Sequence, residues 1–320
     1  MKPQKKIALI FGINGQDGYY LTKLLQKKNY RVFGITLNSK KNKFDNVRIF
    51  KIKKINLRVV KQILNKIKPS KIFNLCSISS KSEAELDILK TDQYINFFNL
   101  IFLTSIKEIK LKTKYFLALS ALLFNEKKHI NEKTKPIPLT HPYAISKYSA
   151  FKYLEYFNKT YNLKCYSAFF FNHESPFRDE RFITMKIVQH FKIYGKKIIK
   201  PLYLKNINDL VDWGHAEDYM EAVLKIVQKT KPCHHIIATG KNNSIKSFIK
   251  HVCNFYKIKY EWKKKGGMYQ LIDIQNNQII IQSPVMIKYK NIKIDMKKTF
   301  KEINWKPKHS LKDIVFDMCK

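Results

Sequence analysis

Gly12, Gly15 and Gly18 stand at three-residue intervals in the stretch GINGQDG, directly after the apolar run Ile7-Ala8-Leu9-Ile10-Phe11. Glycine permits a tight turn and lets backbone amides approach a pyrophosphate. A helix that begins at such a turn adds partial positive charge for the same phosphates. The chemistry predicted is the binding of a dinucleotide. A purely structural turn would carry the same glycines, but a strand before and a helix after favour the phosphate reading. Farther along, Tyr143 and Lys147 form a Tyr-x-x-x-Lys pair, and four-residue spacing puts both on one helical face. In a chain with 18 tyrosines the pair alone is weak, and its place after a strand ending at Ser120 gives it weight.

The elements that must position these residues are legible as apolar periodicity. Runs at 7–11, 31–35, 47–52, 71–75 and 114–120 have strand length. Between them lie helical patterns. One begins near Gly18 and carries Leu21, Leu24 and Leu25; another spans 57–67 with Val60, Ile63, Leu64 and Ile67 on one face. Further helices are predicted over 92–109 and 142–162, the last opening on Pro142. Strands alternating with helices predict an α/β protein with a doubly wound parallel sheet covered on both faces.

Composition narrows the class. The chain has 320 residues, enough for one or two domains, and 45% of them are apolar, which suits a globular protein. No apolar run is long enough to cross a bilayer, and the basic N-terminus ahead of 7–11 fits a buried strand better than a secretion signal. Cys76, Cys165, Cys233, Cys253 and Cys319 are scattered and odd in number, as expected of free thiols in a reducing cytoplasm. Cys233, His234 and His235 are adjacent rather than at ligand spacing, so no metal is expected. The net charge of +38 comes almost wholly from lysines spread through every segment, with Arg31, Arg48, Arg58, Arg178 and Arg181 the only arginines. That dispersal argues against specific nucleic-acid recognition and for general attraction of anionic ligands.

Two later blocks, Phe170-Phe171-Asn172-His173-Glu174-Ser175-Pro176 and Val211-Asp212-Trp213-Gly214-His215-Ala216-Glu217-Asp218-Tyr219, complete the order of motifs. With the glycine turn and the Tyr143/Lys147 pair they resemble the extended short-chain dehydrogenases/reductases, and within them the GDP-mannose 4,6-dehydratase family. The resemblance runs from Ile7 to about Met318. It implies a Rossmann domain over 1–171 and a smaller α+β substrate domain over 172–320, with a segment near 208–241 returning to the nucleotide side. The loop Lys263-Lys264-Lys265-Gly266-Gly267 is no domain boundary.

By residue, the resemblance implies cofactor contacts from Gly12, Asn14, Gly15, Gln16, Asp17, Gly18, Asn56, Leu57, Tyr143, Lys147 and His173. It implies substrate contacts from Asn172, Glu174, Lys186 and Lys288. In that family the tyrosine oxygen takes a proton as hydride leaves the sugar, helped by the lysine's charge, and a hydroxyl matching Ser120 bonds the sugar 4-oxygen. The cofactor implied is NADP. The family's arginine pair after the second strand is represented by Leu37 and Asn38, with Lys40 and Lys41 following. No Asp or Glu stands there to take a free ribose hydroxyl, so NADP fits better than NAD.

The chain departs from the family at the reaction centre. After the strand ending at Ser120 the family has a glutamate that removes the C5 proton and helps expel water from C6; Leu122 falls at that place. Glu126 is the nearest later carboxylate. Met185 replaces the arginine before Lys186, Val211 the arginine before Asp212, and the arginine segment that grips the nucleoside end is represented by residues 286–290. Three readings follow. One is a dehydratase of GDP-mannose. Another is a nucleotide-sugar C4 ketoreductase or epimerase, which needs no glutamate. The third is a non-catalytic relative. A homodimer or homotetramer in the cytoplasm, with no membrane, is implied by resemblance.

Overall fold

A computed structural model describes residues 6–37, 44, 46–78, 81–124, 129–131, 133–136, 141–194, 200–286 and 291–320. The first half runs β1 (Ile7–Phe11), α1 (Gln16–Lys27), β2 (Arg31–Thr36), β3 (Arg48–Lys51), α2 (Leu57–Ile67), β4 (Lys71–Asn74), α3 (Lys81–Leu86), α4 (Ile88–Asp92), a π turn (Gln93–Phe97) and α5 (Phe98–Glu108). It continues through β5 (Lys114–Ser120), a 3₁₀ turn (Ala121–Phe124), β6 (His129–Ile130), α6 (Pro142–Tyr161) and β7 (Lys164–Phe170). The second half opens with β8 (Asn172–Glu174), α7 (Ile183–Ile193), β9 (Leu202–Tyr203), β10 (Leu210–His215), α8 (Ala216–Ile226), β11 (His234–Ile237) and β12 (Asn242–Ser244). It closes with α9 (Ile245–Tyr256), β13 (Tyr260–Lys265), β14 (Met268–Asp273), β15 (Gln278–Pro284), β16 (Lys293–Ile294), α10 (Lys297–Ile303) and α11 (Leu311–Cys319).

Seven strands form one sheet in the order β11-β7-β5-β4-β1-β2-β3. Every pairing in it is parallel. Its strands are apolar on both faces because helices cover both; β1 and β4 are buried along nearly their whole length. The predicted doubly wound α/β fold is therefore the observed one. Smaller sheets, β12-β10-β8 and β13-β14-β15-β9, lie in the second half. Two hydrophobic clusters result. One contains the large sheet with α8 and α10; the other joins α7, α9, α11 and β13–β15.

Local departures from the predicted elements have visible causes. The first helix begins at Gln16 rather than Gly18, with Gly15 as its extended N-cap. The apolar stretch predicted as one helix over 92–109 is divided by the π turn. Asn99 in that stretch is fully buried yet satisfied: Asn74 donates to the Tyr115 hydroxyl, which donates to Asn99, which donates to the Ala150 carbonyl, at 2.9, 2.9 and 3.2 Å. Lys263–Lys265 belong to β13, and only Gly266 and Gly267 form the hairpin turn, both at positive φ.

Candidate active site and dinucleotide site

β1 delivers the chain to the glycine turn at the carboxyl edge of the sheet. Gly12 has φ +88°, and a Cβ there would lie 2.9 Å from the Cys76 nitrogen at the end of β4. A Cβ at Gly18 would lie 2.4–2.5 Å from the Ile13 and Gly12 carbonyl oxygens. Both positions therefore require glycine, and the turn stays narrow enough to present amides. A dinucleotide fits this cradle, and a second observation agrees. The Asn14 amide oxygen is buried without a hydrogen-bond partner among the described residues, while its nitrogen donates to Thr36 Oγ1 at 3.4 Å. An orphaned acceptor beside the end of β2 is a place where a ligand donor completes the site.

Gln16 and Asp17 are committed within the protein. Gln16 Nε2 donates to the His173 carbonyl at 3.1 Å, and its Oε1 accepts from Ser175 at 2.7 Å. Asp17 Oδ1 faces His173 Nε2 at 2.9 Å. Asn56 is the exposed N-cap of α2, accepting from Val59, with Leu57 half-buried beside it. Thr36 and Leu37 end β2 without a charge; Asn38, Lys40 and Lys41 lie outside the described residues.

The reaction-centre residues come together at the end of β5. His141 caps α6, its Nδ1 accepting from the Tyr143 amide at 3.2 Å, and Glu85 faces its Nε2 at 3.3 Å. That cap fixes the first turn of α6, where Tyr143 is buried. Lys147, 2% exposed, donates from Nζ to the Ala118 carbonyl of β5 at 2.7 Å, with its ammonium 5.8 Å from the Tyr143 ring centre. Burial pushes the neighbouring Cys76 thiol up to about 12, although the Lys147 ammonium pulls the other way. Ser120, at the tip of β5, accepts from the Leu122 amide at 3.2 Å, and its hydroxyl donates to no partner among the described residues. Leu122 is half-buried against the core, and Glu126 lies outside the described residues.

On the substrate side the placements diverge. Asn172 and Lys186 are exposed. Glu174 is 2% exposed and engaged by Thr184 at 2.7 Å and Arg178 at 3.1 Å. Burial raises its carboxyl, against the pull of Arg178. Lys288 lies outside the described residues. Asp212 accepts from the amides of Thr239, Gly240 and Lys241 and from the Thr239 hydroxyl, at 2.7–3.1 Å. Its carboxyl is nonetheless lifted to about 6 by burial.

Sequence reasoning missed two features here. Arg178 holds Glu174 and lies over the Phe182 ring, 3.4 Å from its centre; as one of five arginines in a lysine-rich chain it carried a signal. His215 and His309 stack at 4.2 Å, and with Glu217 they bring ligand-type atoms within 4.8 Å of one another. Both His215 nitrogens are already engaged, by the Glu217 amide and by Asp317, so this cluster serves as a joint between α8 and α11.

A parallel Rossmann sheet, a glycine turn and a Tyr/Lys pair anchored on the fifth strand define an extended short-chain dehydrogenase/reductase. Solved structures share that fold: UDP-glucose 4-epimerase from Thermotoga maritima superposes with a TM-score of 0.80 at 17% identity, covering 98% of this chain and 97% of that one. More specifically, the chain belongs to the GDP-mannose 4,6-dehydratase family, which matches residues 9–318. The GDP-mannose 4,6 dehydratase of Drosophila melanogaster is 30% identical over 98% of this chain and 85% of its own length. That of Vibrio cholerae is also 30% identical, over 82% and 75%.

Proposed function

We propose that this protein oxidises C4 of a GDP-hexose, with GDP-mannose as substrate and NADP as cofactor, en route to a 4-keto-6-deoxy sugar. The observation that carries this reading is the anchoring of Lys147 on Ala118, which sets α6 and Tyr143 against the strand that ends at Ser120. Ser120 donates its free hydroxyl proton to the sugar 4-oxygen. The Tyr143 oxygen takes the proton of the 4-hydroxyl, and the Lys147 charge stabilises the phenolate that this requires. A nicotinamide dinucleotide supplies hydride acceptance when bound. The uncharged end of β2 supports NADP over NAD, because among the described residues no carboxylate stands there for a free ribose hydroxyl.

Elimination across C5 and C6 needs a positioned acid/base, worth about 10²–10⁴-fold in rate. Leu122 neither accepts nor gives a proton. That observation favours a second reading, C4 reduction or epimerisation without loss of water; a non-catalytic subunit is the third. Mass spectrometry of GDP-mannose incubated with the protein and NADP separates them. Loss of one water supports dehydration. Unchanged GDP-mannose, with turnover of a 4-keto-6-deoxy sugar by NADPH, supports the second reading, and inertness towards both the third.

The expected setting is the cytoplasm: all five cysteines are free, and no helix among the described residues is long and apolar enough to cross a membrane. We further propose a homodimer or homotetramer. Leu86 and Leu89 are 87% and 86% exposed, and the α4 segment packs beside α6, where Ile145 and Tyr156 are also exposed. Light scattering that finds only monomers at micromolar concentration would remove this proposal. The division into a nucleotide domain over 1–171 and a mainly substrate domain over 172–320, with a segment near 208–241 returning to the nucleotide side, is proposed on the same footing; in support, the large-sheet cluster takes in Tyr219, Val223 and Ile237, together with Met296 and Trp305.

A further inference from the structure

His173 is almost wholly buried, and each of its ring nitrogens faces an acceptor. Nδ1 lies 2.8 Å from the Phe171 carbonyl and Nε2 lies 2.9 Å from Asp17 Oδ1. A carbonyl oxygen and a carboxylate both require a donor, and a neutral imidazole has only one N–H. The face of the ring is also occupied. Tyr219, fully buried, lies against it with ring centres 4.7 Å apart and planes 32° apart. An aromatic face at that distance favours a cation. Tyr219 reaches this place because residue 214, opposite His173 in the β10–β8 pairing, is glycine.

We infer that His173 is a standing imidazolium, caged by Asp17, the Phe171 carbonyl and the Tyr219 ring, and that it acts as a positioning residue holding the first turn of α1 in place for a dinucleotide. Three blocks far apart in sequence thereby build one charged clasp: Asp17 beside the glycine turn, His173 from β8, and Gly214 with Tyr219 from β10 and α8. The functional part rests on the dinucleotide reading above.

The other charged groups facing the ring are consistent with this. Burial alone would lower the basicity of His173, and Arg178 adds to that; Asp17 overrides both and leaves it above 6.5. The same pair holds the Asp17 carboxyl below 3.8 in spite of burial. Glu174, next in β8, is neutralised by Arg178 and feels the His173 charge. The sign follows. The His173 contribution is complete below the unfolded value of 6.5 and is lost only as pH rises through the higher folded value.

Two-bond ¹H–¹⁵N spectra of the histidine rings, on the full chain without dinucleotide, test the inference. His173 is expected to show two protonated nitrogens at pH 7.5; because His141, His215, His235 and His309 also face carboxylates, its signals are assigned by their loss in His173→Gln. Asp17→Asn is expected to lower the His173 titration by about 1–3 pH units. It should also make NADP(H) affinity pH-dependent near neutrality, where the parent protein is flat. Should Asp17→Asn fail to fold, Tyr219→Leu is expected to shift the same titration downward by a smaller amount. A neutral tautomer for His173 in the parent at pH 7, or an unmoved titration in Asp17→Asn, would overturn the inference. Absence of dinucleotide binding by the parent leaves the ring spectra readable, and so is a separate failure of the dinucleotide reading.

Discussion

The ring of Tyr219 occupies the space that a side chain at Gly214 would fill: a Cβ there would lie 2.3 Å from Tyr219 Cε1. Gly214→Ala is therefore expected to displace a fully buried tyrosine and lower stability by about 1–3 kcal/mol. Urea unfolding monitored by far-UV circular dichroism measures this. A midpoint unchanged from the parent would show that the ring moves at no cost.

Leu122→Glu places a carboxylate where elimination needs one. Water loss from GDP-mannose is expected to rise by roughly 10²-fold or more, if the rest of the site is competent. The comparison is the rate of appearance of the dehydrated product for variant and parent at saturating NADP. No gain, with dinucleotide binding intact, would count against the dehydratase reading.

Tyr143→Phe removes one oxygen from a side chain packed at the start of α6 and leaves the His141 cap in place. Redox turnover at C4 is expected to fall by about 10²–10⁴-fold while the thermal midpoint stays within a few degrees. Retained turnover would mean that the proton goes elsewhere.

Tyr115→Phe cuts the buried chain between Asn74 and Asn99, leaving a donor and an acceptor without partners. A loss of about 1–3 kcal/mol is expected, although the change removes a single atom. Chemical denaturation decides it, and a loss below ~0.5 kcal/mol would indicate that water enters the gap.

The His309–Asp218 pair, 3.0 Å apart, sets a pH window. The bond to Asp218 raises His309 above 6.5, so its contribution is complete below that value and disappears as pH rises through the folded value. Burial would raise Asp218, but the His309 bonds outweigh it and leave the carboxyl below 3.8, so its contribution disappears as pH falls through that lower value. His309→Gln is expected to flatten the decline in stability as pH rises above 6.5, read as urea midpoints across a pH series. An unchanged slope would assign the decline to other groups.

The sheet, the glycine turn and the Tyr143/Lys147 helix were legible because each depends on local periodicity or spacing. Strand β5 and helix α2 have the predicted limits for that reason. What was hidden depends on contacts between distant residues. No local pattern marks the His173–Asp17 clasp, since its partners are 156 residues apart. Lys114, which caps the end of α8 by donating to the Val227 and Lys229 carbonyls at 2.9 and 2.7 Å, looks like any other lysine in so basic a chain. The π turn was invisible because the stretch that follows it is buried nearly all round, with Phe98, Ile101, Phe102, Leu103 and Ile106 inside, so one extra residue breaks no visible stripe.

Strand β11 enters the large sheet beside β7, although about sixty residues of chain separate the two. On a ribosome elongating at about 5–20 residues per second, β7 therefore waits roughly 3–12 s with an unpaired edge. During that interval Cys165, Tyr166 and Phe169, later buried, belong to an incomplete sheet. Nascent-chain quality control would meet this protein at that step, and a chain truncated after Phe171 would retain the open edge indefinitely, prone to pair with other chains.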